Sequence, residues 1–342
     1  MNNREFRLAA VGTGYFSQFH YDAWHRLSVN LTGICSLKIK EARKVSSKFE
    51  NCEAFTNLEE MLASKKPNLV DVIVPPKDQV LIIEHCLEHR VPIICQKPFT
   101  TSLRDATRIT EKAEDLGVPI FVHENFRFQP WHIEIKRLLE TGLLGEIYQC
   151  YFRMRPGDGR GPDAYLSRQP YFQKMERFVV RETIIHIIDI YRHFFGNIES
   201  VSSNLTRLNP HIKGEDAGYI MMNFKSGTRA LIDFNRLSDH VAEDRRLTIG
   251  DMVIEGVRGT LRLDGNGKIL FRAFETNEEK LIWNDSPKIG FAGDSVFNTQ
   301  KHILEHMSHG SPIMNTARQY LENIEVEEAI YESNKEGKKI LI

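Results

Sequence analysis

From Phe6 to His123 short apolar runs alternate with segments of helical periodicity, and this alternation constrains the fold more than any other feature of the chain. LAAVG is followed by YFSQFHYDAWHRL, LTGIC by KIKEARKVSSKF, LVDVIVPP by QVLIIEHCLEH and PIICQKP by SLRDATRITEKAEDLG, before PIFVH closes the series. Each helical segment must carry the chain back across the sheet before the next strand begins. Repeated strand-helix units therefore predict a parallel sheet with right-handed crossovers. The runs are near-continuous rather than alternating, as in strands covered on both faces.

The texture changes after WHIEIKRLLETG. From Gly145 alternating stretches dominate, EIYQCYFRMR, AGYIMMNFKSG, TRALIDFNR and GTLRLDGNGKILFRAF, the pattern of an antiparallel sheet. RETIIHIIDIYRHFFG interrupts them as a helix ending in a glycine suited to its C′ position. A last helix is expected near Thr316 to Asn334, before a short terminal strand. A length of 342 residues predicts two domains. The expectation is α/β: a doubly wound Rossmann domain over 1–123, then a substrate-binding and oligomerisation α+β domain over 124–342 with a large, mainly antiparallel sheet. The C-terminal helix is placed to pack back on the first domain.

A net charge of -1 gives no general attraction to polyanions, and no basic stripe suggests a nucleic-acid partner. No stretch approaches the roughly 20 apolar residues of a membrane span. Cys35, Cys52, Cys86, Cys95 and Cys150 form no C-x-x-C pair and no zinc-finger spacing, so free thiols in a reducing cytoplasm are expected.

The first strand runs into Gly12-Thr13-Gly14-Tyr15-Phe16-Ser17, a G-x-G-x-x-S version of the dinucleotide fingerprint. Gly12 permits the tight turn, and Gly14 lets backbone amides approach a pyrophosphate at the helix N-terminus. Two glycines in a strand-to-helix turn are weak evidence alone; their place at the head of an alternating series gives them weight. After the second strand, where a carboxylate would bind the ribose hydroxyls, stand Ser36 and Lys38. Such a site accepts a 2′-phosphate, which slightly favours NADP over NAD, although these are also ordinary residues for a solvated loop.

The fourth of these strands ends in Cys95-Gln96-Lys97-Pro98, at the sheet edge where ligands bind in such folds. This string, the VIVPP turn, VHENFRFQP and ETIIHIID together resemble the Gfo/Idh/MocA family, which includes glucose-fructose oxidoreductase and inositol dehydrogenase. The resemblance covers essentially the whole chain. It implies an NAD(P)-dependent oxidoreductase that moves hydride between nicotinamide and a sugar or polyol carbon without a metal, with Lys97 as acid/base. Gln96 replaces the glutamate of the family's Glu-Lys-Pro motif. The family's acidic residue four positions before a histidine is matched by Glu182 and His186, with glutamate where aspartate is usual. Asp189 follows on the same helical face. The resemblance extends the cofactor contacts to Tyr15, Phe16, Pro75, Pro76, Gln79, Gln96, Lys97, Asn125 and Arg127, and it implies a homodimer or homotetramer. More narrowly, CQKPF, VHENFRFQPW and GPDAYLSRQPYF resemble a branch containing bacterial D-apiose dehydrogenases.

The segment RMRPGDGRGPDAYLSRQPYFQKMER has the polar groups to bind several hydroxyls, with Arg153, Asp158, Tyr165 and Gln169 as candidates; a surface loop or oligomer contact would also suit it. Competing readings stand beside the others. His186 is also plausible as a core histidine among Ile184, Ile185, Ile187 and Ile188. Glu182, His186 and Asp189 are each possible metal ligands, but Lys97 makes a metal unnecessary. A cofactor-bound sensor and an NAD-dependent glycosidase are the alternative functions.

Overall fold

The amino-terminal alternation folds, in the computed structural model, into a six-stranded sheet in the order β3-β2-β1-β4-β5-β6. The strands are β1 (Arg7–Val11), β2 (Asn30–Cys35), β3 (Glu53–Phe55), β4 (Leu69–Val72), β5 (Ile93–Gln96) and β6 (Ile120–His123). Every pairing is parallel. Helices α1 (Ser17–Arg26), α2 (Ile39–Ser46), α3 (Leu58–Lys65), α4 (Pro76–Glu88) and α5 (Leu103–Asp115) make the crossovers. Leu8, Ala9 and Ala10 on β1 have no exposed surface, as covering on both faces requires. Local chemistry sets the helix starts. Pro76 occupies a first-turn position that needs no N–H, while Ser102 caps α5 by accepting from the Asp105 amide at 3.1 Å. The structure describes residues 6–285, 287 and 289–342.

In the second sheet the order is β14-β13-β12-β11-β7-β10-β9-β8-β15. Its strands are β7 (Ile147–Met154), β8 (Ile198–Thr206), β9 (Ala217–Phe224), β10 (Arg229–Asn235), β11 (Gly250–Gly256), β12 (Gly259–Leu263), β13 (Ile269–Ala273), β14 (Lys280–Trp283) and β15 (Ile340–Leu341). The β7–β10 pair is parallel and the other pairs are antiparallel. Helix α6 (Pro130–Glu140) precedes β7. A π-helical turn (Val180–Ile184) leads into α7 (Ile185–Phe195), which ends at Gly196 with φ of 86°. Strand alternation separates the sheet faces: Cys150, Phe152 and Met154 are buried, whereas Arg153 is exposed. Helix α7 covers the buried face, with the rings of Tyr191 and Phe195 against Phe224. On the other face Tyr219 and Met221 are 57% and 55% exposed.

Helices α8 (Ser295–His309) and α9 (Ala317–Glu336) complete the chain's helices among the described residues. The chain divides into one unit through Asn125 that takes in Val296–Glu322, and another made of Phe126–Ser295 and Asn323–Ile342. In the first unit, Ile303 and Leu304 of α8 join a core containing Phe6, Leu8, Trp24 and Phe121. Among the elements that the sequence reading did not single out are β3, α3 and α8. Strand β3 has three residues, of which only Phe55 is buried, too few for a period to register. Helix α3 follows it, and the polar run SVFNTQKHILEHMSH of α8 hides its short apolar stripe. No helix among the described residues is long and apolar enough to cross a membrane.

Candidate active site

At the carboxyl edge of the parallel sheet the strand order reverses between β1 and β4, the place where open α/β sheets bind ligands. Gly12 has φ of 114°, and a Cβ there would lie 2.2 Å from the Ile73 carbonyl oxygen, so no other residue fits. A Cβ on Gly14 would meet nothing within 4 Å. Open space over this turn, at the head of a helix with no acidic residue in its first turn, fits a pyrophosphate. The space continues as a groove of about 540 Å³ between α1 and α2, lined by Thr13, Gly14, Tyr15, Lys44 and Lys48. Ser36 closes on Thr13 through a 2.8 Å hydroxyl contact, and Lys38 lies exposed at the start of α2. Tyr15 is partly exposed, and the Phe16 ring packs on Phe19 and His20. Pro75 and Pro76 head α4, while Asn125 is buried.

Lys97 follows β5, half-buried, with a cis peptide bond to Pro98. Its backbone N–H donates to Gln96 Oε1 at 2.8 Å. Gln96 Nε2 lies 2.9 Å from His20 Nε2, and His20 Nδ1 lies 2.8 Å from Asp71 Oδ2. Gln79 and Gln96 require correction as cofactor contacts. Gln79 has no exposed surface; it donates to the carbonyls of Gln96 at 2.7 Å and Pro98 at 3.1 Å, and accepts from the Thr100 amide at 2.7 Å. Its amide is committed to holding the loop that carries Lys97. Gln96, 8% exposed, has both ends committed in the same way.

The π-helical turn of the second unit presents Glu182, whose Oε2 accepts from the Thr183 hydroxyl at 2.7 Å. One turn on, His186 is 3% exposed and its ring stacks on Phe126 at 3.8 Å, 4° from parallel. Asp189 also departs from expectation. Buried to 1%, it takes a bidentate bond from Arg127 at 2.7 and 2.5 Å and a third from Asn323 Nδ2 at 2.8 Å. Its charge is compensated inside the unit and is not offered to a substrate, and the Arg127 donors expected at a nucleotide are turned to it. Among the described residues no cluster of three or more His, Cys, Asp or Glu has a geometry that could hold a metal ion.

Arg236, which the sequence reading passed over, organises the long polar segment. Its guanidinium, side chain 8% exposed, forks onto Asp158 at 3.0 and 2.7 Å and donates to the Thr183 hydroxyl at 3.0 Å. It lies 4.0 Å from Glu182 Oε2, boxed by the rings of Tyr165, Phe172 and Phe178. Burial pushes the Asp158 carboxyl up, but Arg236 and Arg168 outweigh it and hold it below its ordinary value. Asp158 and Tyr165, both expected to touch substrate, are therefore internal supports, Tyr165 being 4% exposed. Gln169 donates to the Tyr171 hydroxyl at 3.2 Å, and Tyr171 is 47% exposed and lies in the field of Glu182. Arg153 pairs with Asp251 at 2.8 Å on the sheet face opposite α7.

Residues 6–124 match an oxidoreductase family with an NAD-binding Rossmann fold, and residues 132–262 match the Gfo/Idh/MocA C-terminal domain. The chain belongs to the Gfo/Idh/MocA oxidoreductase family. It is 29% identical to a D-apiose dehydrogenase of Rhizobium rhizogenes, covering 99% of this chain and 98% of that one. A D-apiose dehydrogenase of Paraburkholderia graminis is 28% identical over 98% of this chain and 90% of its own. The fold matches that of an oxidoreductase from Agrobacterium radiobacter in complex with NAD+, L-tartaric acid and magnesium, with a TM-score of 0.88, 27% identity and 98% coverage of both chains. Within the Gfo/Idh/MocA frame, the loop-holding role of Gln79, expected at the cofactor, and the whole of Arg236 had no signal in a single sequence. A buried glutamine and a buried arginine look like solvated residues until their partners from distant segments are seen.

Proposed function

We propose that this family member oxidises a CH–OH group of a sugar or polyol, with Lys97 as the base. The observation that carries the reading is the placement of Lys97 at the carboxyl edge of β5, on the sheet whose switch point presents the Gly12–Gly14 turn. Residues Gly12, Gly14, Tyr15, Phe16 and Ser36 would hold the dinucleotide, and a bound nicotinamide would supply the hydride acceptor. Lys97 Nζ takes the proton of the hydroxyl as its carbon becomes a carbonyl, and returns it in the reverse direction. His186, its ring plane fixed by Phe126, donates or accepts a hydrogen bond at a sugar hydroxyl. Glu182, oriented by Thr183 and Arg236, accepts another, and the Gln169–Tyr171 pair extends the polar surface.

The two relatives of nearly equal length support a branched pentose, D-apiose, as the substrate. Ser36 and the neighbouring lysines support use of NADP at least as readily as NAD. The exposed Tyr219 and Met221 on the uncovered sheet face support a homodimer or homotetramer, and five free thiols support a reducing cytoplasm. The test is incubation of the purified protein with NAD or NADP and a panel of sugars and polyols that includes D-apiose, following reduced nicotinamide. Turnover of D-apiose is expected. Absence of reduction with every member of the panel would reject the dehydrogenase reading.

A further inference from the structure

Gln96 stands where the family motif has glutamate, and its surroundings fix both its own orientation and the protonation of His20. The Lys97 backbone N–H can only donate, so the Gln96 atom 2.8 Å away is the oxygen. The amide nitrogen then faces His20 Nε2 at 2.9 Å; since an NH2 group can only donate, that ring nitrogen must carry a lone pair. The ring proton therefore sits on Nδ1 and is donated to Asp71 Oδ2 at 2.8 Å. Asp71 ends the chain and also accepts from Trp24 Nε1 at 2.7 Å. The His20 and Asp71 side chains have no exposed surface.

We propose that Asp71, His20 and Gln96 form a one-directional hydrogen-bond chain that positions Lys97 and, because residue 96 is an uncharged amide, keeps His20 neutral. The proposal rests on Lys97 being the acid/base group. Each link dictates the next, so the Lys97 backbone is held by a side chain that cannot rotate without breaking a buried hydrogen bond. A glutamate at position 96 would set a carboxylate oxygen against the His20 lone pair. That repulsion is relieved only if a proton enters, giving an imidazolium between two carboxylates. The net charge of the chain would be unchanged, but the glutamate form would gain a titration beside Lys97 that glutamine removes.

The other groups that face His20 are His123, Phe16, Tyr21, Cys95 and Gln300. The His123 ring lies 4.1 Å away, centre to centre, and the Phe16 ring meets the imidazole edge to face at 5.7 Å. Tyr21 on α1 and Cys95 on β5 are both pushed up by burial and then by Asp71, which keeps them neutral. Gln300 of α8, which carries no titratable proton, donates to the His20 carbonyl at 3.5 Å.

The experiment combines imidazole nitrogen NMR with kinetics on the full-length chain. The wild type should show His20 as a neutral ring protonated at Nδ1, and Gln96→Glu should show an imidazolium at mildly acidic pH. With the sugar that the wild type oxidises fastest, the kcat of Gln96→Glu relative to wild type should fall about tenfold as pH rises from about 6 to about 9, while the cofactor KM stays within about twofold. Gln96→Met, which removes both contacts, should speed exchange of the Lys97 amide hydrogen about tenfold. A wild-type His20 protonated at Nε2, a flat kcat ratio for Gln96→Glu, or unchanged amide exchange in Gln96→Met would overturn the proposal. Full turnover by Lys97→Ala would instead defeat the reading of Lys97, leaving the His20 tautomer as observed, so the two failures are distinguishable.

Discussion

Three side chains carry the sharpest expectations at the scale of single residues. Lys97→Ala should lower kcat roughly 100-fold to 10,000-fold, the usual contribution of a general acid-base group, while the dissociation constant for NAD stays within about threefold. Unimpaired turnover would remove Lys97 from the mechanism. At Ser36 a carboxylate would repel a 2′-phosphate and satisfy ribose hydroxyls instead, so Ser36→Asp should weaken NADP selectively. A wild type that binds NAD more than about tenfold tighter than NADP would show that the Ser36 loop does not face a phosphate. Arg236→Met strips the charge that compensates Asp158 and Glu182 in a buried site. Breaking a buried pair on one side costs about 3 to 5 kcal/mol, so denaturant unfolding should show a loss of that order; a loss below about 1 kcal/mol would mean that the remaining Arg168 contact compensates Asp158 without Arg236. Lys97 and Ser36 were visible in the sequence because each follows an apolar strand of the alternating series. Arg236 was not, because its role exists only where Asp158, Thr183 and three aromatic rings meet around it.

Among the elements, α6 and α7 carry histidines whose environment sets a pH response. His132 on α6 is 2% exposed, and burial pushes its pKa down to about 4 against a weaker upward pull from the Phe126 carbonyl. The folded value lies below the unfolded one, so the unfolded chain binds more protons as pH falls through the mid-6 range. Stability attributable to His132 is therefore present above about pH 6.5 and is lost as pH falls toward 4. The upper bound is roughly 3 kcal/mol for a shift of this size. Measured against His132→Phe at each pH, the wild type should lose stability between pH 7 and about 4.5, and a constant difference would show that the ring is not protonated on unfolding in that window. Glu327 on α9 opposes this in the whole protein, since burial raises its carboxyl to about 7, which is why the comparison is made against the variant. Elements with long periodic patterns were legible in the sequence, whereas β3, α3 and α8 were not. A short edge strand buries too little to impose a period, and α8 turns few apolar residues inward.

At the scale of the whole molecule, the first unit is assembled from two distant stretches. Ile303 and Leu304 fill its core, the Phe121 and His306 rings meet edge to face, and the Val122 amide donates to the Asn315 carbonyl at 2.8 Å. A fragment that ends at Asn125 leaves that apolar surface open. It should melt without a cooperative transition and be cut readily by protease, where the intact chain is not. A sharp, protease-resistant fold in this fragment would show that α8 is dispensable to the core. Light scattering tests the proposed assembly: a dimer or tetramer is expected for the wild type, and Met221→Lys, which places a charge on the uncovered sheet face, should shift it toward monomer.

The sequence by itself determined the two kinds of sheet, the nucleotide turn and the place of Lys97, because these depend on periodicity and on residues adjacent in the chain. Burial of continuous apolar runs permits little besides a covered parallel sheet, and the positive φ at Gly12 is a demand made within a few residues. Only the tertiary structure decided which polar side chains face inward. Asp189 was matched to Arg127 from 62 positions away, Asp158 to Arg236 from 78, and Gln96 to His20 from 76. A buried charge or amide is tolerable only when its partner is in place, and which partner that is depends on how the strands are ordered in space.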